Sequence, residues 1–137
     1  MTKNSRPALD ELTQSALEAA RNSYSRYSQF KVGAAIRLSN GAVVTGTNVE
    51  NASYGLTICA ERSALVSAVS QFGPSIRVEA IAVVNLNDAP SPPCGACRQV
   101  LSEFTLPDAP VTFPGNDGVR TMKFSELLPE MFEFKKK

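Results

Sequence analysis

The chain has 137 residues and a formal net charge of +1, a length that suits one domain burying roughly two-thirds of its unfolded surface and a charge that provides no broad basic field for DNA or RNA. Its three cysteines cannot pair completely within one chain, which argues against a disulfide framework and for a reducing cytoplasm. The start of the sequence has no apolar leader segment, and no apolar run approaches the length needed to span a bilayer, so no membrane is expected.

Ser5 and Pro7 stand ahead of Leu9, Leu12, Ala16, Ala19, Ala20 and Tyr24. This apolar stripe at helical spacing, behind a cap and an early proline, predicts a first helix over about residues 7–23. Residues 31–38 and 42–48 flank Asn40-Gly41, a pair that supplies the positive φ angles of a tight turn, and so read as antiparallel strands. The stretch 49–58, with Asn51, Ser53 and Gly55, reads as an irregular loop of the kind that carries binding groups on a rigid scaffold. From Cys59 to Phe72 the pattern is helical, with Ala60, Leu65, Ala68 and Val69 apolar and Gly73-Pro74 ending the run. Residues 78–84 form a short β-branched apolar run, as expected of a central strand buried on both faces. Pro90 to Pro93 lead into a second cysteine-headed helix, roughly 94–104, with Val100, Leu101 and Phe104 for its buried side. Residues 111–113 and 119–124 complete the sheet as a hairpin around Asn116-Asp117-Gly118, and Ser125-Glu126-Leu127-Leu128 opens a short last helix.

The cysteines fall into Cys59-Ala60-Glu61 and Pro93-Cys94-Gly95-Ala96-Cys97, both at helix starts. There the unpaired N–H groups and the positive end of the helix dipole stabilise thiolates and make them available to a metal. Cys94 and Cys97, three apart, share a helix face and can grip one ion, with Cys59 arriving from the other helix. Structural zinc normally takes four protein ligands, whereas catalytic zinc keeps three and leaves the fourth position for water. The chain contains no histidine, which makes a fourth strong ligand hard to find. Three thiolates and one Zn²⁺ sum to −1, which opposes forming a hydroxide, so a positive group is needed nearby. Arg62 and Arg98 directly follow the two motifs and can donate hydrogen bonds to sulfur, with Arg62 preferred and Arg98 read as a surface ion pair. Glu61 is placed to shuttle protons rather than to bind metal.

Together, Cys59-Ala60-Glu61-Arg62 and Pro93-Cys94-Gly95-Ala96-Cys97-Arg98-Gln99 resemble the small cytidine deaminases whose zinc ligands are all cysteine. The likeness runs from about residue 8 to 132. It includes Tyr27-Ser28-x-Phe30, Val32-Gly33-Ala34-Ala35, Asn48-Val49-Glu50-Asn51-Ala52-Ser53-Tyr54 and Glu126-Leu127-Leu128-Pro129. The resemblance implies an α/β fold, a three-layer α-β-α sandwich around a five-stranded mixed sheet, in a single domain over residues 1–137 with short flexible termini. It also implies one Zn²⁺ per subunit and a homotetramer whose sites are completed by neighbouring subunits. Carried over by matching position, Asn48 and Glu50 bond the ribose hydroxyl side and Phe30 packs beside the nucleoside. The backbone around Ala60, with Glu61, reads the pyrimidine edge, and Tyr54 and Phe132 approach the pocket across subunit contacts. The implied reaction is hydroxide attack on C4 of the cytosine ring, with Glu61 delivering protons to N3 and to the departing amine, as in pyrimidine salvage.

Other readings remain open at this point. A lone C-x-x-C is often a structural zinc knuckle or a redox pair. Blasticidin-type deaminases resemble the chain around zinc but generally lack the Asn-x-Glu pair seen here as Asn48-Val49-Glu50. A nucleotide enzyme needs a phosphate cradle, and no glycine-rich loop or lysine cluster lies near Asn48 to Tyr54. A deaminase of polynucleotides needs a basic, aromatic groove, for which the loops show no enrichment. A silent zinc-binding interaction module would retain the cysteines without needing Glu61. Lys135 to Lys137 read as a solvated end.

Overall fold

The computed structural model describes residues 4–133, and the lysine-rich end at 135–137 lies outside the described residues. The elements follow in the order α1 (Arg6–Ala20), β1 (Val32–Leu38), β2 (Val43–Thr47), α2 (Ala60–Phe72), β3 (Val78–Asn85), α3 (Gly95–Ser102), β4 (Pro110–Gly115), β5 (Gly118–Lys123) and α4 (Phe124–Leu127). One sheet takes the strands in the order β2-β1-β3-β4-β5, with β3 at its centre as its apolar run predicts. All neighbouring pairs are antiparallel except β3 with β4, which makes the sheet mixed.

The central strands are buried on both faces, and alternation sends successive side chains to opposite layers. Ala35, Ala80 and Ala82 face α1, where they meet Leu12 and Ala16. Ile36, Ile81 and Val83 face the other way, into a larger core with Ala64, Leu65 and Ala68 of α2, Leu101 of α3 and Leu127 of α4. The result is the three-layer α-β-α sandwich. The two layers differ in grain. Small residues under α1 let that helix lie close to the sheet, while the opposite layer is filled by branched side chains. Each of these buries apolar area worth about 1.5–3 kcal/mol.

Three features set the ends of the elements. Ser5 caps α1 through a bond from the Ala8 N–H to its hydroxyl, and Pro7 sits in the first turn. That helix ends at Ala20, a turn short of the predicted boundary, because Tyr24 leaves it to donate its N–H to the Asn48 carbonyl. Helix α3 stops at Ser102 for a similar reason, since the Phe104 carbonyl accepts from the N–H of Val78 at the start of β3. In the β1–β2 turn, Gly41 takes φ 90° and the Asn40 side chain accepts from the Ala42 N–H.

Topology decides where a site can form. Strand β1 runs antiparallel to both β2 and β3, so the carboxyl ends of β2 and β3 lie at the same edge of the sheet as the start of β1. At that edge the chain leaves β2 for α2, leaves β3 for α3, and enters β1 past Phe30. Ligand crevices in open α/β sheets favour the carboxyl ends of strands. No helix among the described residues is long and apolar enough to cross a membrane.

Candidate active site

Cys59 and Cys94 are the N-cap residues of α2 and α3, and Cys97 lies within the first turn of α3. Both helices therefore direct their N-terminal dipoles at the sulfurs, and the Cys97 N–H donates to Cys94 Sγ at 3.4 Å. The three Sγ atoms lie within 4.8 Å of one another, with Cys59 to Cys94 at 4.0 Å and Cys94 to Cys97 at 3.2 Å. Sulfurs bound tetrahedrally to one zinc at about 2.3 Å stand about 3.8 Å apart, a value these separations bracket. Among the described residues no fourth cysteine, histidine or acid joins the cluster. A three-thiolate set with an open fourth position is the donor arrangement of a catalytic zinc.

In the bare cluster the Cys59 thiol is pulled down to about 5. The main cause is the hydrogen bond from Cys97, with Arg62 adding its attraction against the cost of burial. Cys97, which gives that bond and is buried, moves the opposite way. Arg62 reaches Cys59 Sγ at 3.6 Å and the Thr57 carbonyl at 3.4 Å through Nη2. Its buried Nε has no partner among the described residues. Arg98 does something different: Nε donates to the Pro93 carbonyl and Nη1 to the Leu127 carbonyl, each at 2.8 Å. It is neither a sulfur ligand nor the surface ion pair that its sequence suggests, but a bracket between α3 and α4.

Glu61 lies in the first turn of α2 and is only 5% exposed. Burial pushes its carboxyl up to about 7, and the Cys59 thiolate adds to the rise, against a hydrogen bond from its own N–H. A carboxyl that titrates near neutrality both accepts and returns a proton readily.

These groups open on a cleft of about 190 Å³. Phe30, Asn48, Cys59, Ala60, Glu61 and Cys94 all line it. Larger hollows exist, such as one of about 530 Å³ against Thr105, Phe124 and Met131, but none of its lining residues is a cysteine or a buried acid. Chemistry rather than size selects the site. Thr57, Ser91 and Pro92 also line the cleft, although sequence reasoning did not single them out. The proline-rich approach to Cys94 was the available signal for Pro92, and Thr57 and Ser91 carry none.

Asn48 and Glu50 are both buried and both grip the segment that carries Phe30. Asn48 Nδ2 donates to the Phe30 carbonyl at 2.8 Å, while its Oδ1 accepts from the Val32 N–H at 3.0 Å and from the Ser23 hydroxyl. Glu50 does not line the cleft. Its Oε1 accepts from the N–H groups of Tyr27 and Ser28, each at 3.0 Å, and its Oε2 accepts from the Ser28 hydroxyl. Tyr54 and Phe132 are 86% and 73% exposed and stand outside the cleft of a single chain.

The bonds from Ser28, and then that from Tyr27, hold the Glu50 carboxyl below its ordinary value of 4.5. A lowered native value means that the unfolded chain binds the proton more readily. The stability from this group is thus fully present above the unfolded value and is lost as the pH falls through the native one. Glu50→Gln is expected to melt below the wild-type protein at pH 7, with the gap closing below about pH 4. Thermal unfolding across pH checks this, and a gap that persists in acid would show that the carboxylate charge is not what matters.

Comparison with known proteins places these features. The family model for the cytidine and deoxycytidylate deaminase zinc-binding region matches residues 7–112. The cytidine deaminase of Halalkalibacterium halodurans is 47% identical over 122 residues, covering 88% of this chain and 91% of that protein. The crystal structure of cytidine deaminase from Burkholderia pseudomallei is similar at 45% identity and a TM-score of 0.81, over 90% of this chain and 98% of that one. The Mycobacterium tuberculosis cytidine deaminase structure is similar at 39% identity and a TM-score of 0.79, over 92% and 98%.

Proposed function

Because the chain belongs to the cytidine and deoxycytidylate deaminases, a family of zinc hydrolases, we propose that it converts free cytidine and 2′-deoxycytidine to uridine and 2′-deoxyuridine with release of ammonia, as in pyrimidine salvage. The observation that carries this reading is the buried Glu61 carboxyl beside three sulfurs that leave one coordination position open.

Cys59, Cys94 and Cys97 would hold the zinc, which would supply a bound water of lowered pKa as the nucleophile. Glu61 takes a proton from the attacking water and passes it to N3, which makes C4 electrophilic. It then moves the second proton to the amine as the C4–N bond breaks. Water and cytidine thus give uridine and ammonia, with no other reactant. The N–H groups at the start of α2, around Ala60, are assigned to the pyrimidine edge, and Phe30 to the face of the nucleoside. Arg62 lowers the cost of the net negative charge on the sulfur cluster.

Asn48 and Glu50 are assigned to the ribose hydroxyls, and each has capacity left for that. Asn48 has one Nδ2–H for which no acceptor stands among the described residues, since the other goes to Phe30. Glu50 offers about four acceptor positions, of which protein donors take three. In this assignment the pair serves substrate and wall together, with Asn48 alone of the two lining the cleft of a single chain.

A cleft of about 190 Å³ falls short of the roughly 300–1,000 Å³ of small-molecule sites. Val49, Tyr54, Leu56 and Ile58, next to Cys59, are exposed apolar residues of the kind that marks an interaction surface. Both observations support association of subunits, which the family resemblance makes a homotetramer in which Tyr54 and Phe132 of neighbouring subunits complete the sites. One sheet runs through the described residues, which supports a single domain, and three unpaired cysteines suit the cytoplasm.

The test offers the zinc-loaded protein cytidine, deoxycytidine, cytidine monophosphate and blasticidin S in separate absorbance assays. Turnover of the two nucleosides alone is the expected result. Turnover of blasticidin S alone would overturn the ribose assignment of Asn48 and Glu50, and turnover of the monophosphate alone would overturn the choice of nucleoside.

A further inference from the structure

The segment from Tyr27 to Lys31 delivers Phe30 to the cleft, and three side chains from two separate parts of the chain hold its backbone. Glu50 holds Tyr27 and Ser28, and the Ser28 hydroxyl in turn accepts from the Phe30 N–H at 3.0 Å. Asn48 holds the Phe30 carbonyl and the Val32 N–H. The third holder is Asn87, from the loop after β3. Its Nδ2 donates to the Gln29 carbonyl and its Oδ1 accepts from the Lys31 N–H, each at 3.0 Å. Asn87 thus straddles Phe30, with one bond on either side of it.

The position it straddles is a strained one. Gln29 takes φ 58°, the left-handed region that crowds the Cβ of any residue other than glycine. Such a conformation persists only where neighbouring bonds impose it, and the Asn87 bond to the Gln29 carbonyl is one that does so. Asn87 is itself oriented, because its N–H donates to Asn85 Oδ1 at 3.0 Å. Asn85 Nδ2 then donates to the Ala89 carbonyl at 2.7 Å and to Ser91 Oγ at 2.8 Å. The Leu86 N–H bonds the Lys31 carbonyl at 2.9 Å. The wall that carries Phe30 and the approach to Cys94, which supplies Ser91 and Pro92 to the cleft, are therefore one hydrogen-bonded unit.

We propose that Asn87 is a positioning residue of this site: it holds Gln29 in its left-handed turn and ties the Phe30 wall to the loop that leads into the zinc-binding helix α3. The proposal rests on the placement of the nucleoside against Phe30. Asn87 touches neither the sulfurs nor the cleft itself, and its side chain is exposed, so its removal leaves the core and the metal centre in place.

The expected result for Asn87→Ala is a KM for cytidine raised roughly threefold to tenfold, the value of one or two net hydrogen bonds, with kcat and zinc content unchanged. In a Gln29→Gly background the same change is expected to have a smaller effect, because glycine takes a positive φ without steric cost. A readout independent of turnover comes from Phe30→Trp, which introduces the chain's only tryptophan. Adding Asn87→Ala to that variant is expected to raise quenching of its fluorescence by acrylamide. Unchanged quenching, or a KM at the wild-type value, would overturn the proposal, as would a parallel loss of kcat and zinc, which indicates general unfolding. Absence of cytidine turnover in the wild-type protein instead sinks the functional reading, and the quenching measurement still decides the role of Asn87.

Discussion

Glu61→Gln is expected to lower kcat/KM for cytidine by about four orders of magnitude, with zinc content and melting temperature held at the wild-type level or above it. A single positioned acid–base group contributes about 10²–10⁴, and the proposed path uses Glu61 for both proton transfers, so the loss lies at the upper end. Glutamine preserves the volume and a hydrogen-bonding head but cannot take a proton. The fold does not need the charge. Glu61 is 5% exposed and burial raises its carboxyl to about 7, so ionising it within the protein is unfavourable, and an amide there removes that cost. Steady-state kinetics beside metal analysis reads the two effects separately. Activity within tenfold of wild type would remove Glu61 from the mechanism, and loss of zinc along with activity would make it part of the metal site instead.

The second large effect comes from a residue with no side chain. A Cβ added to Gly46 would stand 2.3 Å from the Ala64 nitrogen and 2.6 Å from the Ala60 carbonyl oxygen. Both are backbone atoms of α2, so no rotamer change relieves the overlap, and the helix must lift from the sheet. Overpacking of this kind costs typically about 1–3 kcal/mol and sometimes more. With a rigid obstacle Gly46→Ala belongs at the top of that range, a fall in melting temperature of about 10 °C. Ala60 sits between Cys59 and Glu61, so the displacement falls on the reacting groups, and about 1 Å of misplacement can cost a hundredfold in rate. Gly55→Ala is the control, because its Cβ would meet nothing within 4 Å. Calorimetry and activity on both variants check the argument. A folded, fully active Gly46→Ala protein would show that α2 has room to move without cost to the site.

What the sequence makes legible follows from which forces are local. The cysteine-headed helices, the Asn40-Gly41 turn and the β-branched central strand each declare themselves through spacing or conformational preference within a few residues, and the fold contains all of them. Helix ends are less legible, because tertiary bonds decide them: Tyr24 is drawn to the Asn48 carbonyl and Val78 to Phe104. Arg98 shows the same limit, since its two acceptors lie in a loop and in α4 and nothing near it in the chain announces them. The local packing of Gly46 against α2 is likewise invisible in a row of residues that reads only as a strand.

In the candidate site, the three cysteines and Glu61 stand out because metal and acid–base chemistry restricts which residue types can serve. Asn48 and Glu50 come forward only through the family resemblance, and the structure adds what that could not: both grip the backbone on either side of Phe30. Asn85 at the end of β3 and Asn87 just beyond it carry no signal in the sequence, because asparagine is ordinary at turns and in loops. Their meaning depends on which carbonyls lie opposite, and the Gln29 carbonyl is far away in the chain. Tyr54 and Phe132, exposed in one chain, acquire a role only in the assembly proposed above.

Three thiolates and Glu61 are proposed to form a zinc-dependent deaminase of free nucleosides. Ammonia release from cytidine tests it most directly when measured on the protein as purified, after removal of zinc by a chelator, and after zinc is returned. The expected result is stoichiometric ammonia and uridine, activity lost with the metal, and recovery in proportion to zinc up to about one ion per chain. Full occupancy of the cluster with no ammonia released, or release that continues unchanged after zinc is gone, would contradict it.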